Sequence, residues 1–156
     1  MKIITSDNYD ICIGNNSLEH FNFSDYSTVA ILVDENIKKH CLPLLLTQLP
    51  SISNSLIIEI RSGEENKNLS TCSLIWKELS KHKFDRSSLL INLGGGVIGD
   101  IGGFAASTYK RGIDFIQIPT TLLAMADASV GGKLGIDFNE LKNQVGLFKN
   151  PKSVCF

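Results

Sequence analysis

Short apolar runs alternating with stretches of helical periodicity predict an α/β fold: a mostly parallel sheet flanked by helices, with an edge hairpin at the N-terminus. Three observations carry that reading. Runs at 27–34 (STVAILVD), 56–61 (LIIEIR), 88–93 (SLLINL) and 114–119 (DFIQIP) are dominated by Val, Ile, Leu and Phe, as strands buried on both faces are. Between them Ile37, Cys41, Leu44, Leu45 and Leu49, and then Leu69, Cys72, Ile75, Trp76 and Leu79, recur at helical spacing. The third run stops at Gly94-Gly95-Gly96, and a glycine-punctuated helical pattern follows it.

Composition narrows the possibilities. A chain of 156 residues, 43% hydrophobic, can bury one substantial core, so a single domain over 1–156 is expected. Fifteen basic residues against 16 acidic ones provide no field for nucleic acid or an anionic membrane, so any phosphate recognition must be local. Cys12, Cys41, Cys72 and Cys155 are widely spaced without C-x-x-C, which reads as buried free thiols rather than a zinc knuckle or disulfide framework. The N-terminal MKIITSDNYDICIG has no continuous apolar core of a signal peptide, and no 18 apolar residues run together. A cytoplasmic enzyme or binding domain fits.

In order along the chain, Ile3, Ile4, Tyr9, Ile11 and Ile13 alternate with polar residues before the turn signal Gly14-Asn15-Asn16, which suggests the edge hairpin. The first buried strand ends in Asp34, and Pro43 either kinks the following helix or delays its start. Asp34 and Asn36 at this strand end can bond a ribose or adenine, and Asp34 can equally cap the helix. The second strand leads into Ser62-Gly63-Glu64-Glu65-Asn66-Lys67, a turn glycine, carboxylates and an ammonium where open sheets bind ligands. The same carboxylates also suit a helix N-terminus. Trp76 reads as core packing, and His20, His40 and His82 as structural histidines away from the glycines.

The glycine triplet is the strongest local signal. Residues without Cβ let backbone N–H groups approach an anion, and the helix that follows directs its positive end at the same place. Gly94, Gly96 and Gly99 also satisfy G-x-G-x-x-G, but strands precede it and no acidic strand end follows at the dinucleotide spacing. Interior Gly99, Gly102 and Gly103 each cost about 0.8–1 kcal/mol of helix propensity, so close approach to a neighbouring helix or a ligand must offset them. Asp100 sits one turn into this helix; Tyr109-Lys110-Arg111-Gly112 closes it. The fourth strand ends at Pro119-Thr120-Thr121, whose hydroxyls can cap the helix of Leu122, Leu123, Met125 and Ala126 or contact a pyrophosphate or nicotinamide. No simple periodicity explains Asp127 to Asp137 (DASVGGKLGID). Asp127, Lys133, Lys142 and Asn143 together suit a polyhydroxylated phosphate: carboxylate to hydroxyl, ammonium and amide to phosphate oxygens.

These residues carry a resemblance. GGGVIGDIGGFAASTYKRGIDFIQIPTTLLAMADASVGGKLGID followed by KNQVGLFKNPK resembles the 3-dehydroquinate synthases, members of the sugar phosphate cyclases. The resemblance implies a Rossmann-like, NAD-binding α/β domain, with the family's helical C-terminal domain absent from this chain. Family members convert the sugar phosphate DAHP to 3-dehydroquinate and phosphate, with NAD returned unchanged, in the shikimate pathway. By this resemblance Ser62, Gly63, Glu64, Lys67, the turn Gly95, Gly96, Val97, Ile98, Gly99 and Asp100, Thr120 and Thr121 hold NAD, with Lys142 and Lys133 close to it and Asp34 and Asn36 on the adenosine side. Asp127 binds a substrate hydroxyl, Lys133 and Asn143 the substrate phosphate, and Arg111 reaches the neighbouring subunit's site in a homodimer. Ala128, Leu134 and Asp137 depart from the serine, threonine and asparagine common in relatives, and Asp137 adds negative charge near Lys133. The family's zinc or cobalt is held by a glutamate and two histidines of the C-terminal domain, which nothing here matches, so this chain is expected to bind NAD without turning over DAHP. Another cyclase, a metal-dependent alcohol or glycerol dehydrogenase, and a non-catalytic nucleotide-binding module are the alternatives.

Overall fold

The computed structural model of the chain describes every residue except Asp7 and His20; the reading of His20 therefore lies outside the described residues. Strands β1 (Lys2–Ser6) and β2 (Tyr9–Ile13) form the expected antiparallel edge hairpin. Strands β3 (Val29–Asp34), β4 (Leu56–Ile60), β5 (Leu89–Gly94) and β6 (Asp114–Pro119) are the four buried runs, all parallel. A separate antiparallel hairpin, β7 (Lys133–Phe138) and β8 (Leu141–Phe148), precedes β9 (Ser153–Cys155). The sheet order is β1-β2-β9-β6-β5-β3-β4. The chain steps outward from β3 to β4 and then returns to β5 on the other side of β3, so the carboxyl ends of β3 and β5 flank the switch point where such sheets form a crevice. The glycine triplet lies there.

Period-two alternation sorts the core into two layers. Leu89, Ile91 and Leu93 of β5 pack with Ile31, Val33, Leu42, Leu45 and Ile116 on one face, beneath helices α1 (Glu35–His40) and α2 (Leu42–Gln48). Leu90 faces the other way, with Ile58, Ile60, Cys72, Ile75, Leu79, Ile98 and Ile101, beneath α3 (Leu69–Lys81) and α4 (Gly96–Thr108). Pro43 occupies the first turn of α2, and the helical stretch breaks at Cys41 just before it, so the proline interrupts the helix without delaying its start at Glu35. Trp76 packs on the core and donates from Nε1 to the Ala105 carbonyl, 3.1 Å away.

Helix α4 explains its own glycines. It is clamped between the sheet and β7, so the close approach is to these two surfaces rather than to a helix or a ligand alone. A Cβ at Gly99 would stand 3.2 Å from Gln117 Oε1, one at Gly102 would overlap the Asn92 amide, and one at Gly103 would overlap Leu134. Asn92, 1% exposed, has no partner for either amide atom.

Two expectations are refined. Residues 122–126 do start a helix, Met125 N–H donating to the Thr121 carbonyl at 2.9 Å, but it widens at once: Ala124–Ala128 is one wide turn, with Ser129 N–H donating five residues back to the Ala124 carbonyl at 3.1 Å. The stretch at 127–137 does contain a periodic element, because Leu134 and Ile136 alternate inward on β7. The β7–β8 turn uses Asn139 (φ 50°) and Glu140 (φ 63°), two left-handed residues without a glycine.

The Gly103–Leu134 contact predicts a coupled pair. Gly103→Ala alone should destabilise by roughly 1–2 kcal/mol, overpacking outweighing the helix-propensity gain. In a Leu134→Ala background the same change should stabilise, by up to about 1 kcal/mol. Urea melts of the four-member cycle measure this, and additivity would contradict it.

Candidate functional site

The site begins where β5 meets α4. None of Gly94, Gly95 and Gly96 has positive φ, so sterics rather than turn geometry keep side chains out. A Cβ at Gly94 would lie 2.6 Å from Ile98 Cγ1, and one at Gly95 would lie 3.2 Å from Thr121 Cγ2. No side chain caps α4, so the N–H groups of its first turn, including Gly96, Val97 and Ile98, are presented bare at the positive end of a 13-residue helix. Ile98 is buried, so only its main chain is available. Thr120 N–H donates to the Gly94 carbonyl at 3.0 Å and fixes the two strand ends together. The Thr120 hydroxyl is buried and has no partner, whereas that of Thr121 accepts from Ala124 N–H at 3.3 Å and serves as the local cap.

Lys67 is the electrostatic hub. Only 3% exposed, its ammonium stands 2.9 Å from Asn143 Oδ1, 3.0 Å from Glu64 Oε1, 3.3 Å from Asp100 Oδ2 and 3.8 Å from Asp137 Oδ1. Burial alone would lower its pKa, but the Glu64 hydrogen bond and the surrounding carboxylates reverse this and raise it, so the charge is held. The backbone joins in: Asp137 N–H donates to the Lys67 carbonyl at 2.8 Å, and Asn143 N–H to Asp137 Oδ1 at 2.8 Å. Burial pushes the Asp100 carboxyl up to about 6, against the pull of Lys67. Asp137 therefore adds its charge beside Lys67, not near Lys133 as the sequence reading had it; four strand positions, about 13 Å, separate the two along β7.

A cavity of about 490 Å³ opens beside this hub, and Asp100, Asp127, Lys133 and Asn143 all line it, with Gln144 and Phe148. The wide turn at Ala124–Ala128 aims Asp127 into it, and β7 and β8 bring in Lys133 and Asn143. Asn143 adopts φ 53°, an αL position that asparagine tolerates well. Lys142 sits 3.7 Å from Glu64 Oε1, joining the hub from outside. Phe148 in this lining is 84% exposed, and Leu122 and Leu123, just ahead of the wide turn, are 83% and 74% exposed.

Other expected residues lie elsewhere. Asp34 accepts from Asn36 and Ile37 N–H at 2.9 and 2.8 Å, capping α1. Ser62 donates to the Glu35 carboxylate through both its N–H and its hydroxyl. Asp34, Asn36, Ser62 and Gly63 thus continue along the same carboxyl edge without lining the cavity. Arg111 is at the opposite, amino-terminal edge, exposed, with Lys110 at φ 50° and Arg111 at φ 70°. Sequence reasoning missed Asp137 as a partner of Lys67 and Gln144 as a lining residue. The alternation of Leu134 and Ile136 would have placed the first on a strand; nothing local signals the second. His40 and His82 are remote from the cavity, His82 Nδ1 lying 2.9 Å from the Glu78 carbonyl.

Residues 57–156 match the family described as 3-dehydroquinate synthase N-terminal. The chain belongs to the 3-dehydroquinate synthase family. The 3-dehydroquinate synthase of Sulfurimonas denitrificans is 44% identical over 154 residues, covering 99% of this chain and 43% of that protein. The chain spans about two-fifths of the length of such curated relatives. Its fold matches 2-deoxy-scyllo-inosose synthase complexed with carbaglucose-6-phosphate, NAD+ and Co2+, with a TM-score of 0.86, 24% identity, and coverage of 94% of this chain and 42% of that one. It also matches ValA, the 2-epi-5-epi-valiolone synthase from Streptomyces hygroscopicus with NAD+ and Zn2+ bound, with a TM-score of 0.78, 26% identity, and coverage of 99% and 44%. The Rossmann-like sheet expected of this synthase family is therefore the fold observed.

The raised Asp100 pKa fixes a stability test. The folded chain keeps this proton up to about pH 6, while the unfolded chain releases it near pH 4, so folding loses stability as pH rises through that window. Asp100→Asn should stabilise the chain by about 1–3 kcal/mol at pH 7.5 and have no effect at pH 3.5. Thermal melts at both values check it; equal shifts at both would show that the carboxylate carries no such penalty.

Proposed function

We propose that this chain is the NAD-binding half of a 3-dehydroquinate synthase, working in the cytoplasm as part of a homodimer on the sugar phosphate DAHP. The observation that carries this reading is the convergence of Asp100, Asp127, Lys133 and Asn143 on one cavity beside the bare first turn of α4. The identity of 44% over nearly the whole chain to a 3-dehydroquinate synthase, against 24% and 26% to the other two cyclases, favours this family member.

The residues fit a dinucleotide. The unpartnered Thr120 hydroxyl and the uncapped N–H groups at Gly95–Gly96 want an acceptor that the protein does not supply, and a diphosphate is one. Lys67 and Glu64 hold the adjoining wall, and Asp100 accepts from a ribose hydroxyl once ionised. Bound NAD supplies a hydride acceptor that becomes the donor again within one cycle. Asp127 accepts from a substrate hydroxyl and orients the carbon that bears it. Lys133 donates to phosphate oxygens. Asn143, its carbonyl oxygen held by Lys67, is left with its amide N–H groups for the same phosphate. A phosphate gripped by these donors can itself take up the proton lost beside it, which suits a cavity with no histidine among the described residues that line it. Arg111, on the far edge, serves the partner subunit's site in this reading.

Metal is a different matter. Among the described residues no group of three or more His, Cys, Asp or Glu side chains is placed to hold an ion, so zinc or cobalt does not fit those residues. No helix among the described residues is long and apolar enough to cross a membrane. We infer that the chain alone binds NAD and does not turn over DAHP.

Calorimetric titration with NAD tests the reading. Thr120→Val should leave the melting temperature unchanged, since the hydroxyl has no partner to lose, yet weaken NAD about tenfold, the equivalent of about 1.4 kcal/mol. Lys67→Ala should abolish binding. A parent chain that gives no heat at millimolar NAD, or a Thr120→Val chain that binds like it, would rule the site out. Incubated with DAHP, NAD and zinc, the chain should release no phosphate; sustained release would overturn the inactivity.

A further inference from the structure

The fold brings together two cysteines from opposite ends of the chain. Strands β2 and β9 run in parallel with Asp10 opposite Ser153, Ile11 opposite Val154 and Cys12 opposite Cys155. Directly opposed residues on neighbouring strands stand about 4.8 Å apart and project to the same face, and disulfides form across Cα separations of about 4.4–6.8 Å. The sulfurs converge on one hydroxyl: Ser153 Oγ is 3.7 Å from Cys12 Sγ and 3.4 Å from Cys155 Sγ. Both thiols are buried, at 4% and 2% exposure. Cys155 nevertheless lines a cavity of about 650 Å³ with Leu45, Leu49, Leu93 and Ile118, which gives a small reagent a path to it.

We propose that Cys12 and Cys155 form a redox modification site, a latent disulfide that ties β2 to β9 when a low-molecular-weight disulfide such as glutathione disulfide is the oxidant. The thiolate of one cysteine attacks a sulfur of the oxidant, breaking its S–S bond and expelling one glutathione thiolate. The second cysteine, deprotonated, attacks the protein sulfur of the mixed disulfide and expels the other. Two protein thiols are oxidised, one glutathione disulfide is reduced to two glutathione thiols, and the two protons pass to them. Burial pushes the Cys155 thiol up to about 12, so the closed edge reacts slowly. Because β9 pairs with β2 over only three residues, beside the edge hairpin, local opening supplies the reactive state.

The test uses the chain with Cys41→Ala and Cys72→Ala, which leaves only the pair. After incubation with glutathione disulfide, folded or during refolding from urea, the intact mass should fall by two hydrogens and neither cysteine should alkylate. Unreduced tryptic digestion should join the peptide containing Cys12 to Ser153–Phe156. The melting temperature should rise by on the order of 5–10 °C and fall back with dithiothreitol. Adding Cys12→Ser should remove both the link and the rise. If both cysteines still alkylate after refolding in the oxidant, or each ends as a separate glutathione adduct, the pair is not a disulfide site.

Discussion

One buried ammonium holds the carboxyl edge of this sheet together. Lys67 reaches Glu64 in its own loop, Asp100 on α4, and Asp137 and Asn143 on the two strands of the β7–β8 hairpin. Three segments with no hydrophobic reason to meet at that point are thereby registered against each other. A buried charge is tolerated only when it is partnered, and removing the lysine would leave three carboxylates facing one another. The cavity inherits its shape from this arrangement, since Asn143 and Asp100 belong both to the hub and to the cavity wall.

Packing does the complementary work on the other side of the hairpin. Gly103 on α4 and Leu134 on β7 fit as hole and knob, so β7 lies flat on the helix whose N-terminus faces the site. Leucine at 134 occupies the volume that the glycine leaves. The hairpin is thus located twice, by charge at one end and by shape along its length.

Much of the fold was legible in the sequence, for a physical reason: strands buried on both faces read as continuous apolar runs, and 29–34, 56–60, 89–94 and 114–119 all do. The glycine triplet was legible as a bare helix start, and Asp127, Lys133 and Asn143 as a polar set that the fold brings to one cavity, because their chemistry is local. What escaped was long-range or disguised. The β7–β8 hairpin hid because Gly135 and Gly146 interrupt its pattern and its turn uses Asn139-Glu140, where the expected signal is Asn-Gly. Strand β9 is three residues long, and one of its two partners, β2, sits at the far end of the chain. Asp137 was assigned to the wrong lysine, since only the tertiary fold brings the loop after β4 beneath β7. The cysteines, too, looked isolated in sequence and are neighbours only across the ladder.

The turn at Lys110-Arg111-Gly112 has a quieter consequence. Three successive residues there have φ of 50°, 70° and 116°, and only the last is a glycine. Left-handed backbone costs an ordinary residue about 1–2 kcal/mol, a toll the folded chain bears whether or not anything is bound. Its effect is to fix in advance the direction in which the Arg111 Cα–Cβ bond leaves the surface. The main chain beneath that side chain is thus ordered before the side chain meets anything, and none of that ordering is left to be done later.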